Sequence, residues 1–231
     1  MDTQVDPIAY ISSLSYRWGN LQAILYDKTN TELFPPPYLV HLYEHTRTSG
    51  RSHMGTLPML FCGMMDLSCE AIVSYLHQRP VVVLGEWRTT PATGIDDFHA
   101  LGYCFPSTPV AISRSSSPAT PRNSTFGGYG FFEEAWSTAA QTILSWLGIA
   151  RLMHDLQLSS LHGVRYSHNV LTARWCSQFG FCDVGVLPDY MPRWPDGELV
   201  PGVVSTLSRD EFARRLSEIL ERVSELPETS K

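Results

Sequence analysis

The sequence lacks several features that would assign it to a functional class. No segment approaches the roughly 20 consecutive apolar residues of a membrane-spanning helix. The N-terminal stretch MDTQVDPIAY has no apolar run behind basic residues, so we expect no signal peptide. Basic residues are few, because 17 Lys and Arg stand against 23 Asp and Glu for a net charge of −6. Neither a membrane nor a nucleic acid is therefore an expected partner.

The sequence also lacks the cysteine and histidine spacings that are typical of redox pairs and metal sites. The chain has no C-x-x-C pair, no H-E-x-x-H and no Cys/His cluster at zinc spacing. Its five cysteines are an odd set, which favours free thiols over a disulfide framework. The expectation is a cytoplasmic protein without a metal site.

What is present is typical of a globular enzyme. The 231 residues are 43% hydrophobic and 17% charged. A chain of this size and composition can form a large hydrophobic core that does not depend on disulfides or a metal for its stability. We divide the chain into an N-terminal extension, residues 1–56, and a main domain, residues 57–231. The Ser- and Pro-rich stretch 106–125 is predicted to be a loop inserted between strands of that domain.

The first half of the chain predicts helices followed by a strand pair. Apolar residues recur at roughly helical spacing over 8–25, and Asp66 is a plausible N-cap for a helix to about Gln78. The runs 81–87 and 98–105 suit buried strands, which we expect to pair as an antiparallel hairpin.

The second half alternates strands and helices. A glycine-rich aromatic strand is predicted over 126–136, and Thr138 with Gln141 has the spacing of a capping box that opens a helix to about Asp155. A strand over 158–166 follows, and then an Asn-led helix of about three turns. Two strands around the Pro195 to Gly197 turn and a final amphipathic helix from Ser208 complete a mixed α/β domain.

One segment carries a family resemblance. Asn169 to Phe181, NVLTARWCSQFGF, resembles the Asn-x-x-Ser/Ala and Leu/Phe-Gly-Phe signature of the GNAT superfamily of N-acetyltransferases. The resemblance implies an α+β fold: a mixed, mostly antiparallel sheet flanked by helices, with splayed parallel central strands. Those strands are 126–136 and 158–166 here. It also implies acetyl-CoA as co-substrate and a small-molecule or peptide amine as acceptor.

The resemblance further implies where the cofactor binds. The pantetheine arm of acetyl-CoA lies between the splayed strands, and its pyrophosphate lies on the N-terminus of the following helix. The implied cofactor-binding residues are those of this helix start and the two motif positions: Trp136, Ser137, Thr138, Ala139, Asn169 and Thr172. The family's phosphate loop is usually rich in glycine, whereas this turn contains none and follows Glu133 and Glu134.

Catalysis by this family requires a base for the amine proton and can use a donor for the leaving thiolate. Glu133 and Glu134 are the candidate bases, and His162 and His168 are weaker candidates. Cys176 stands where the family often has a Tyr proton donor.

Other hypotheses stay open at the level of sequence. Tyr129 and Tyr166 either line the acceptor channel or pack in the core. The alternative to an enzyme is a catalytically inactive structural or interaction protein on the same scaffold, for example a phage or prophage component. That hypothesis predicts a cleft plugged by side chains such as Trp136, Trp146 or Trp175, and an oligomeric or partner-bound state. A homodimer is one candidate assembly for the chain.

Overall fold

The computed structural model describes residues 6–26, 81–89, 94, 96–106, 124–131, 133–192 and 198–224. The helices of this part are α1 (Pro7–Ser13), α2 (Ala139–Asp155), α3 (Val170–Phe179) and α4 (Arg209–Ser224). The strands are β1 (Arg17–Trp18), β2 (Leu21–Tyr26), β3 (Val81–Thr89), β4 (Asp96–Pro106), β5 (Ser124–Phe131), β6 (Ser160–Tyr166), β7 (Cys182–Pro192) and β8 (Leu199–Ser208). One turn of 3-10 helix, Glu133–Ala135, follows β5.

These strands form one sheet in the order β1-β2-β3-β4-β5-β6-β8-β7. Only β5 and β6 run parallel among the described strand pairs, and the other neighbours are antiparallel. The predicted fold class, a mixed and mostly antiparallel sheet flanked by helices, is confirmed.

The N-terminal segment differs from its prediction. The helix predicted over 8–25 ends at Ser13, because the chain turns at Ser15 and Tyr16, which have positive φ angles of 54° and 52°. The following residues pair with β3 as strand β2. Residues assigned to an N-terminal extension thus supply two strands of the main sheet, while the predicted boundary after residue 56 lies outside the described residues.

Tyr16 connects the N-terminal segment, residues 6–26, to α2. Its hydroxyl donates to Asp155 Oδ1 at 2.7 Å and lies 2.8 Å from His154 Nδ1. The Arg151 guanidinium lies 4.7 Å from the centre of the Tyr16 ring. Burial is the main cause that raises the Tyr16 pKa to about 12.

Most other predicted elements are observed. The hairpin of β3 and β4 is confirmed, and the strand predicted over 126–136 is shorter, because the chain leaves the sheet at Phe131 for the 3-10 turn. The helix predicted from Asp66 lies outside the described residues. So do residues 107–123 of the predicted insertion, whose flanks belong to β4 and β5.

Helix α2 is the centre of the core. Thr138 is its N-cap as predicted, and Thr138 Oγ1 accepts from Gln141 N at 3.1 Å. The Trp146 ring lies 4.7 Å from the Phe179 ring of α3 and 5.2 Å from the Phe212 ring of α4. Because α1 also packs on α2, the described helices form one layer on one face of the sheet.

Cys104, Cys176 and Cys182 are free thiols, and the other two cysteines lie outside the described residues. No helix of the described part is long and apolar enough to span a membrane.

Candidate active site

The parallel strands β5 and β6 separate soon after they meet. They pair over three residues, from Ser124 opposite Ser160 to Phe126 opposite His162. Beyond that point β5 continues along β4 to Phe131, and β6 continues along β8. The facing edges, residues 127–131 and 163–166, therefore border a V-shaped gap with backbone groups directed into it. The predicted splayed strands are observed.

Glycines show how space is distributed around this gap. Gly163 is the first residue of β6 past the last parallel pair, and a Cβ added there would meet nothing within 4 Å. On the other side β5 is pressed against β4. A Cβ at Gly130 would come within 2.6 Å of Tyr103 Oη, and one at Gly102 within 2.5 Å of the Gly130 oxygen. There is therefore room over the sheet face at Gly163 of β6, and none at Gly130 of β5 or Gly102 of β4.

Three buried polar atoms beside the gap lack hydrogen-bond partners within the described structure: Tyr129 Oη, Trp175 Nε1 and Arg165 Nε. They come from β5, α3 and β6 respectively, the three elements around the gap. The Tyr129 and Trp175 rings are in contact, with centroids 5.2 Å apart. Burial raises the pKa of Tyr129 well above its usual value.

Cys176 lies on α3 close to Arg165 and Asp183. Burial raises the pKa of its thiol to about 12, so the thiol stays protonated at neutral pH. Arg165 Nη2 donates to Asp183 Oδ2 at 2.6 Å, and Ser205 Oγ donates to Asp183 Oδ1 at 2.6 Å. Sequence reasoning missed Arg165, because its partner is fixed by strand register: Ser205 pairs with Asp183 on one side and with Gly163 on the other.

Comparison with known proteins shows which fold this arrangement of strands and helices is similar to. No family model matches the sequence, and no curated protein matches it. Among solved structures, a mutant of spermidine N-acetyltransferase SpeG from Vibrio cholerae has a TM-score of 0.58 at 9% identity, over 85% of this chain and 98% of its own. RimJ from Mycobacterium smegmatis, in complex with CoA disulfide, has a TM-score of 0.57 at 14% identity, over 87% and 93%.

A third structure, yncA from Salmonella typhimurium with its cofactor acetyl-CoA, has a TM-score of 0.53 at 12% identity, over 83% of this chain and 95% of its own. The chain has the GNAT fold. The remaining motif residues can therefore be located within the GNAT fold.

Asn169, the first residue of the GNAT-like motif, caps α3. Its side chain is 5% exposed, and its Oδ1 accepts from Thr172 N at 2.9 Å. The motif glycine, Gly180, ends the same helix with a left-handed φ of 94°. Both motif residues therefore define the ends of α3, whose Trp175 ring contacts Tyr129 of β5.

The turn before α2, where the family resemblance predicts the pyrophosphate, uses several of its donors internally. Trp136 Nε1 donates to the Phe131 oxygen at 2.9 Å, and Ser137 N donates to Gln141 Oε1 at 2.9 Å. Thr138 N donates to the Ala135 oxygen at 3.3 Å. The N–H groups of Ala139 and the next residue have no intrahelical acceptor at a helix start, so they are the donors best placed for an anion.

Of the candidate bases, Glu134 is placed most clearly. Its Oε1 lies 2.9 Å from His99 Nε2, and the two side chains are 51% and 38% exposed. Sequence reasoning missed His99, which lies 35 residues earlier on β4. The side chain of Glu133 lies outside the described atoms.

The other two histidines lie elsewhere. His162 Nε2 is 3.2 Å from Ser160 Oγ, at the paired end of the parallel strands, where burial lowers its pKa. The His168 ring contacts the buried Tyr166, with centroids 5.5 Å apart. Within the described residues no group of His, Cys, Asp or Glu side chains is arranged to hold a metal ion.

Proposed function

We propose that this protein transfers an acetyl group from acetyl-CoA to the amine of a small molecule or peptide. The observation that carries the proposal is the separation of β5 and β6 beside the open space at Gly163. Structures of the same fold were solved with acetyl-CoA and with CoA disulfide. A pantetheine arm is a thin chain with two amides, which suits a narrow gap bordered by strand backbone.

In this proposal each part of acetyl-CoA has a separate partner. The pantetheine amides bond to backbone groups on the facing edges of β5 and β6, at 127–130 and 163–165. The pyrophosphate binds the start of α2, at Trp136 to Ala139, where the helix dipole favours an anion. Asn169 and Thr172 contribute the start of α3 on the other side of the cofactor.

The chemistry needs one proton transfer to a base. The neutral amine attacks the thioester carbon, loses a proton, and expels the CoA thiolate. We assign the proton to His99, whose imidazole is held in place by the 2.9 Å contact between His99 Nε2 and Glu134 Oε1. Glu133 stays a candidate for the same step, and the protonated Cys176 thiol is a hydrogen-bond donor for the leaving sulfur.

Calorimetric titration with acetyl-CoA tests this proposal directly. We expect a saturable signal with micromolar affinity, and thiol release when amines are added. His99→Gln and Glu134→Gln should each lower kcat by about 100-fold while acetyl-CoA affinity stays unchanged, because a general base contributes about 10²–10⁴. Glu218→Gln, on the exposed face of α4, is the control. If millimolar acetyl-CoA produced no heat of binding, the proposal that the protein is an acetyltransferase would be refuted.

A specific contact favours the alternative, a GNAT-fold protein without catalysis. Trp175 packs on Tyr129 beside the gap, as a plug would. Trp146 lies in the core instead, and the Trp136 indole bonds to the end of β5. The same titration separates the two functions, because a plugged gap takes no acetyl-CoA.

We also propose that a second copy of the chain pairs along β7. This strand is at the end of the sheet order, and its apolar side chains are exposed: Val184, Val186, Leu187 and Tyr190. A long apolar edge strand is a template for strand pairing.

Sedimentation velocity tests the dimer. We expect a dimer for the native chain and a monomer for Val186→Lys, because a buried ammonium at the edge opposes pairing. The control is Tyr10→Lys, an equally large charge change on exposed α1. A monomeric native chain at high micromolar concentration would end this proposal.

A further inference from the structure

Tyr129 and Trp175 present two unpaired hydrogen-bond donors to the interior beside the gap. Tyr129 lies on β5, three residues past the last parallel pair, and Trp175 lies on α3. Their rings are 5.2 Å apart, and neither Tyr129 Oη nor Trp175 Nε1 has a partner in the described structure. Two such atoms on contacting side chains are unusual, because buried polar groups are nearly always bonded.

The neighbouring groups do not satisfy these donors. The Cys104 thiol interacts with the Tyr129 hydroxyl, but this contact falls short of hydrogen-bond geometry, and the Cys176 thiol is also nearby. Sulfur is in any case a weak acceptor. The indole N–H can only donate, and the phenol keeps its proton in this buried place. What both side chains need is a strong oxygen acceptor.

We propose that Tyr129 Oη and Trp175 Nε1 together bind the carbonyl oxygen of the acyl thioester. This assignment rests on the proposed function, which brings an acyl-CoA into the gap. When the amine nitrogen bonds to the carbonyl carbon, the C=O electron pair moves onto oxygen, and it returns when the C–S bond breaks. Both side chains keep their protons throughout and stabilise the negative oxygen by hydrogen bonds, which are strongest while that charge is present.

The assignment explains why unpaired donors persist there. In the unliganded protein they destabilise the fold, because a buried group without a partner loses its hydration. In the complex the same groups meet an acceptor without having to leave water. Removing the Tyr129 hydroxyl should therefore have opposite effects on the free and bound proteins, which a purely structural side chain would not show.

The test compares two ligands that differ by one oxygen. Acetyl-CoA has the carbonyl, whereas S-ethyl-CoA replaces it with CH₂. For Tyr129→Phe and Trp175→Phe we expect acetyl-CoA to bind about fivefold more weakly, as for one lost hydrogen bond, and S-ethyl-CoA to bind as before. The Tm of unliganded Tyr129→Phe should rise by about 2–4 °C, the shift for a chain of this size per kcal/mol.

Two controls match the chemistry of each change. Tyr10→Phe removes an exposed hydroxyl, and Trp87→Phe removes an indole N–H that donates to Gln22 Oε1 at 2.7 Å, away from the gap. Unchanged acetyl-CoA affinity in both site variants, or equal weakening of the two ligands, would overturn the assignment. Failure of the native chain to bind either ligand would instead refute the acetyl-CoA proposal from which it starts.

Discussion

Replacement of Gly163 by phenylalanine is expected to abolish acetyl-CoA binding while the fold is kept. Gly163 begins the separated part of β6, and a Cβ there meets open space. A side chain that large would occupy the space over the sheet face beside the gap, where we expect the pantetheine arm to lie. We expect the dissociation constant to rise more than 100-fold in calorimetry, which corresponds to about 2.7 kcal/mol or more, with an unchanged circular dichroism spectrum.

Two variants separate filling of the gap from the effect of losing a glycine. Gly163→Ala should fold and bind normally, because one methyl group finds room there. Gly185→Phe makes the same large change on β7, where a Cβ also meets nothing within 4 Å, and should leave affinity unaltered. Wild-type affinity in Gly163→Phe would show that acetyl-CoA does not use the gap.

The largest loss of stability is expected from Gly180→Ala. Its φ of 94° costs an L residue about 1–2 kcal/mol. The new Cβ would also lie 2.8 Å from Glu211 Cγ and 2.9 Å from Arg215 Nε. Arg215 Nη1 donates to the Ser177 oxygen at 3.0 Å, so its displacement frees the end of α3. We expect urea unfolding to show a loss of about 3 kcal/mol.

Gly19→Ala isolates the backbone part of this effect. Gly19 also has a positive φ, 60°, but a Cβ there meets nothing within 4 Å. It should cost only about 1 kcal/mol. Equal losses in the two variants would mean that the contacts of α4 with the end of α3 add nothing.

The features of the site that could be predicted from the sequence are those that depend on the residue types at helix ends. Asn169 and Gly180 have the residue types that helix ends require, so their spacing revealed α3 and the family resemblance at once. The cap of α2 at Thr138 was visible for the same reason.

What the sequence could not reveal depends on contacts between distant residues. His99 meets Glu134 only because β4 runs beside the chain that leaves β5, and Tyr129 meets Trp175 only because α3 contacts β5. The end of α1 was missed for a different reason. Ser15 and Tyr16 are in left-handed conformations that glycine favours, and nothing in their residue types indicates a turn.

The short parallel pairing has a mechanical consequence. Within the described residues, strands β1 to β5 and strands β6 to β8 are joined in the sheet by only three residue pairs, so backbone hydrogen bonds hold the two parts of the sheet together over a short distance. The helical layer also joins the two parts, because α2 packs on β2 to β4, α4 packs on β8, and Trp146 of α2 lies between Phe179 and Phe212. We therefore expect the width of the cleft to depend on this aromatic cluster, which Phe179 connects to Trp175 beside the gap.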